Sequence, residues 1–121
     1  MVVDDSIDLL HLLSIIIKME GHEPIPLKSP VELMQKLDEY NPDLIILDVN
    51  LGNYNGKEVC KNIKANPATK NIPVLLTSAS SESLTDFKVY HADDILEKPF
   101  ELSTIKNKIN GLLNNTDYTS I

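Results

Sequence analysis

Leu44, Ile45, Ile46 and Leu47 form an unbroken apolar run that stops at a carboxylate, Asp48. A strand with one wet face alternates apolar and polar residues; a run without a polar break reads as a strand covered on both faces, as in a parallel sheet flanked by helices. The same pattern recurs along the chain. Met1, Val2 and Val3 run into Asp4 and Asp5, Pro73 to Leu76 run into Thr77, and Asp94 to Leu96 lead to Lys98. Ile25 and Leu27 mark one more strand, broken by Pro24 and Pro26, which cannot donate to a ladder and so confine it to a sheet edge.

Helical stretches separate these runs. Ser6 caps a helix to about Glu20 that Gly21 ends, and Ser29 with Pro30 opens a second to about Tyr40. A turn from Asn50 to Gly56 leads into a third helix that Asn66 and Pro67 stop; a short one spans about Ser83 to Tyr90, and the last runs from about Leu102 to Leu113. Strands that alternate with helices pair in parallel through right-handed crossovers. The expected fold is therefore α/β: a doubly wound (βα)5 sandwich whose five-stranded parallel sheet has the flavodoxin-like order 2-1-3-4-5. It should occupy residues 1–113, with 114–121 a frayed tail. The first helix, apolar around most of its circumference, should be buried on more than one side. The second should turn Val31, Leu33, Met34 and Leu37 inward, the third Val59, Cys60 and Ile63, and the last Leu102, Ile105, Ile109 and Leu112.

A chain of 121 residues, 42% apolar, can bury one core and is short for two. The net charge of −7 disfavours direct nucleic-acid binding, which needs clustered Lys and Arg. No apolar stretch is long enough to span a bilayer, nothing marks the chain for export, and the single cysteine, Cys60, fits a reducing compartment, so a cytoplasmic location is expected. His11, His22 and His91 lack ligand spacing and are expected at the surface.

In a parallel sheet the strand C-termini share one rim, where ligands bind. That rim should gather Asp4, Asp5, Asp48, Thr77 and Lys98. Three acids this close repel one another unless a cation shares them, and Mg²⁺ takes such oxygen ligands while keeping positions open for water and phosphate. With an ammonium and a hydroxyl at hand to neutralise transferring oxygens, Asp48 becomes a candidate nucleophile for phosphoryl chemistry.

The segments VVDDS at 2–6, LIILDVN at 44–50, Gly56, PVLLTSA at 73–79 and DDILEKPF at 93–100 resemble, in order and spacing, the signature segments of response-regulator receiver domains. The resemblance implies a two-component or phosphorelay switch that takes a phosphoryl group from a phosphohistidine onto Asp48 and shifts conformation to control an output. It further implies that Asp5, Asp48 and the backbone carbonyl of Asn50 ligate Mg²⁺, with Asp4 helping through water. Thr77 would bond a phosphoryl oxygen, Lys98 would pair with Asp48 and then with its phosphate, and the Lys98–Pro99 bond would be cis. The implied partner is a sensor histidine kinase or histidine phosphotransfer protein, docking near the rim and the first helix. The effector is unspecified, homodimerisation is left open, and the switch either acts alone or is one module of a longer protein. No turnover beyond its own phosphorylation and dephosphorylation is implied.

Three departures stand out. The family usually has Tyr or Phe where this chain has Ile95, so a signal should travel through Thr77 and the loop after it. Residues 51–56 lack the Met-Pro pair often found there, and His91 stands where Gly is common. Two rival readings remain. A haloacid-dehalogenase-like phosphatase normally needs a second acid where Asn50 stands; a degenerate receiver would serve as a phosphorylation-independent interaction module.

Overall fold

The computed structural model describes residues 1–114; of the tail expected at 114–121, Asn114 still belongs to the last helix and 115–121 lie outside the described residues. In chain order the elements are β1 (Val2–Val3), α1 (Ile7–Met19), β2 (Pro26–Leu27), α2 (Pro30–Tyr40), β3 (Ile45–Asp48), β4 (Asn50–Leu51), β5 (Tyr54–Asn55), α3 (Gly56–Ala65), β6 (Val74–Ser78), β7 (Asp94–Glu97) and α4 (Leu102–Asn114). Five strands form one parallel sheet ordered β2-β1-β3-β6-β7, the expected flavodoxin-like arrangement with the proline-bearing β2 at an edge. The helix caps follow the sequence: Ser6 Oγ accepts from Leu9 N–H and Ser29 Oγ from Glu32 N–H. The unbroken run of β3 is buried throughout. One core, with Leu33, Leu47, Cys60, Ile63 and Leu76, lies on one face of the sheet; the other, with Leu13, Ile46, Leu75, Ile105 and Ile109, lies opposite.

Five expectations need correction. The stretch 83–90 is not one α-helix but two 3₁₀ turns, Glu82–Leu84 and Phe87–Tyr90. Its Ser and Thr side chains bond nearby backbone carbonyls, Ser83 Oγ donating to Ser80 and Thr85 Oγ1 to Glu82, which competes with a regular helix. The turn at 50–56 contains a short antiparallel hairpin, β4 with β5, reversed at Gly52 with φ of +65°. Helix α1 is not buried on more than one side: Ile7, Leu12, Ile15 and Met19 are 49–62% exposed, because only the flank toward the sheet and α4 is covered. Val31, Met34 and Leu102 likewise face solvent, since a helix lying on one face of the sheet buries a single stripe. Of the histidines, His11 and His91 are exposed, but His22 is half-buried with Nε2 3.3 Å from Asn110 Oδ1. His91 adopts φ of +65°, the left-handed conformation that glycine takes without strain.

Candidate functional site

Parallel register brings the strand ends to one rim. Asp48 at the end of β3 is the register partner of Thr77 on β6, and Val49 N–H donates to the Thr77 carbonyl at 2.9 Å. Asp4 and Asp5 follow β1 directly, and Lys98 follows β7, where its N–H donates to the Ser78 carbonyl at 2.8 Å. Carboxylate oxygens of Asp4, Asp5 and Asp48 all lie within 4.8 Å of one another. The Lys98 ammonium bonds Asp4 Oδ2 at 2.8 Å and Asp48 Oδ2 at 3.0 Å. The remaining oxygens of the two buried acids are also held: Ser6 N–H donates to Asp4 Oδ1 at 2.9 Å and Asn50 N–H to Asp48 Oδ1 at 3.2 Å. Asp4, Asp48 and Thr77 are buried, whereas Asp5 and Asn50 are exposed, so the site opens to solvent on the Asp5 side.

The electrostatics follow. Burial raises the Asp48 pKa above the ordinary carboxylate value; the Lys98 hydrogen bond opposes this, and the charge of Asp4 adds to it. For Lys98, burial acts to lower the pKa, but the hydrogen bonds and charges of Asp4 and Asp48 outweigh it and hold the ammonium above its usual value. Three carboxylates against one ammonium leave an excess of negative charge. An all-oxygen donor set of this size fits a hard divalent cation such as Mg²⁺.

Every residue singled out in the sequence for this rim is therefore brought to it, and the Lys98–Pro99 bond is cis. The sequence did not show why Gly56 keeps its place. Gly56 N–H donates to the Val49 carbonyl at 2.7 Å, and a Cβ at this position would overlap the Asp48 carbonyl oxygen, so only glycine lets α3 start this close to the end of β3. Ile95 is half-buried and packs against the core beside Leu76, its register partner. Among the described residues, no helix is long and apolar enough to cross a membrane.

Comparison with known proteins gives the same picture. The chain is 33% identical over 115 residues to the transcriptional regulatory protein CpxR homolog of Haemophilus influenzae, covering 93% of this chain and 49% of that protein. It is 29% identical over 119 residues to the DNA-binding dual master transcriptional regulator RpaA of Synechocystis, covering 97% of this chain and 49% of that protein. The chain thus spans about half the length of these relatives, and the DNA binding in RpaA's name lends no support to the expected lack of nucleic-acid contact. Among solved structures, Vibrio cholerae chemotaxis protein CheY4 superposes with a TM-score of 0.83 at 28% identity, covering 93% of this chain and 95% of that one. The signal receiver domain of a signal transduction histidine kinase from Syntrophus aciditrophicus gives 0.85 at 26% identity, covering 98% and 91%. Residues 1–110 match the family model described as the response regulator receiver domain. With fold, rim and sequence in agreement, the chain belongs to the response-regulator receiver family, whose members are phosphoacceptor switches of two-component signalling.

Proposed function

We propose that Asp48 is the phosphoacceptor, taking a phosphoryl group from a phosphohistidine as the donor's N–P bond breaks and an O–P bond to the Asp48 carboxylate forms. The observation that carries this reading is the meeting of Asp48 with Lys98 at 3.0 Å inside a cluster of carboxylates no more than 4.8 Å apart. Asp5, Asp48 and the backbone carbonyl of Asn50 would hold Mg²⁺, with Asp4 acting through water; both Asp4 oxygens already have protein partners, which suits an outer role. Bound there, Mg²⁺ supplies charge neutralisation for the phosphoryl oxygens. Lys98 is oriented by Asp4 and Asp48 to stabilise one phosphoryl oxygen, and Thr77, beside Asp48 in the sheet, offers its hydroxyl to another. The aspartyl phosphate persists until water hydrolyses it, so the output is a shifted conformational population acting on an effector.

The donor would be a sensor histidine kinase or histidine phosphotransfer protein in the cytoplasm. The exposed apolar stripe of α1, Ile7, Leu12, Ile15 and Met19, begins two residues after Asp5 and suits the apolar flank of a helical partner whose histidine must reach the rim. The reading is tested by intact mass after incubation with Mg²⁺ and acetyl phosphate. The parent chain should gain one phosphoryl group and Asp48→Asn none. No gain, together with no beryllofluoride complex, would leave a degenerate interaction module.

A further inference from the structure

The segment from Ser81 to His91, between β6 and β7, is poorly anchored for one that follows the site so directly. Its backbone forms two 3₁₀ turns rather than a helix, a geometry with weaker hydrogen bonds that often marks a hinge. Leu84 and Phe87 plug it into the core. Besides a weak contact from Cys60 Sγ to the Tyr90 carbonyl at 3.4 Å, two polar ties connect it to different parts of the site. On one side Ser83 Oγ accepts from the Ser78 hydroxyl at 2.8 Å, next to Thr77. On the other, the largely covered ammonium of Lys57 bonds Asp86 Oδ1 at 2.8 Å and lies 5.6 Å from the Tyr90 ring centroid. The hydrogen bond from Lys57 holds the Asp86 carboxyl below its ordinary pKa. Lys57 is the second residue of α3, immediately after the glycine that packs on the Asp48 carbonyl. One tie therefore rides with Thr77 and the other with the acceptor's own backbone.

We propose that Lys57 is a latch that holds the Ser81–His91 segment against α3 in the unphosphorylated chain, and that phosphorylation releases it. The proposal rests on Asp48 being the acceptor. As the Thr77 hydroxyl moves toward a phosphoryl oxygen, the end of β6 shifts relative to the Asp48–Gly56 backbone. The two ties can no longer both hold, and the Lys57 contact, a single ammonium on a flexible stem, is the one that yields. With Ile95 unable to swing an aromatic ring, this latch gives the chain a discrete two-state element next to β7. Lys57 acts as a positioning residue and takes no part in the chemistry.

The test compares the parent chain with Lys57→Met, which keeps the apolar stem, and Asp86→Asn, which removes the other half of the pair. Amide hydrogen exchange across residues 79–92 is measured with Mg²⁺ alone and with Mg²⁺ and beryllofluoride, and the beryllofluoride affinity is measured by fluorine NMR. In the parent, beryllofluoride should speed exchange in the segment. In both variants exchange should be fast before loading, and by reciprocity of coupling the beryllofluoride complex should be about two- to fivefold tighter, the range set by a partly exposed ion pair. Unchanged affinity in both variants, with or without faster exchange, would reduce the contact to local structure and overturn the latch alone. Absence of any beryllofluoride complex in the parent would overturn the acceptor reading and the latch with it.

Discussion

Replacing Lys98 by Met removes the single ammonium that separates two buried carboxylates, and the structure sets the cost. Asp4 and Asp48 oxygens no more than 4.8 Å apart repel by about 3.5 kcal/mol at an effective dielectric of about 20. The variant also loses the bonds at 2.8 and 3.0 Å, leaving both carboxylates short of a partner where burial penalises charge. Without divalent ions Lys98→Met should lose about 3 kcal/mol of folding stability. A divalent cation bound among the same carboxylates relieves the same repulsion, so saturating Mg²⁺ should stabilise the variant more than the parent. Urea unfolding at neutral pH, with and without MgCl₂, reads both quantities. The reasoning fails if Lys98→Met costs no more than Lys61→Met, an exposed lysine expected to change stability by less than about 0.5 kcal/mol, or if Mg²⁺ stabilises parent and variant equally.

Two further outcomes follow from close packing. Gly56→Ala should lose about 1–3 kcal/mol by urea unfolding, because the added methyl meets the Asp48 backbone rather than a flexible side chain; a loss under about 0.5 kcal/mol would mean that α3 moves away freely. Burial pushes the Cys60 thiol up to about 12, so it should resist iodoacetamide at mildly alkaline pH in the native chain and react once unfolded. Because the native thiol stays protonated while the unfolded one ionises from about pH 8.5, the unfolded state binds fewer protons there and stability should fall as pH rises from that point; Cys60→Val should remove this slope.

Most of the fold and the whole rim were legible because they rest on local chemistry that topology then repeats. Asp48 could be read as a strand-end carboxylate from four apolar residues, and Asp4, Thr77 and Lys98 by the same rule, since parallel strands put their C-termini on one side. What escaped depends on which surfaces a helix meets. Apolar content alone cannot tell whether Leu12 and Ile15 of α1 face a neighbour or water, and an outer helix layer leaves that flank uncovered. The 3₁₀ turns escaped because Ser83 and Thr85 stand where helical spacing is acceptable, and only the observed side-chain bonds to backbone show the competition. Lys57 carried no signal at all: its partners Asp86 and Tyr90 are distant in sequence and meet it only when α3 packs beside that segment.

The Lys98 ammonium joins Asp4 across 94 residues and Asp48 across 50. A ribosome must therefore make nearly the whole domain before Asp4 and Asp48 have their shared counter-charge, and β1 must wait for the strand after β6 to complete the sheet. Until then a growing chain bears Asp4, Asp5 and Asp48 without the lysine that lets them sit together. The rim therefore reaches its charge balance only once β7 and Lys98 have been made, late in synthesis.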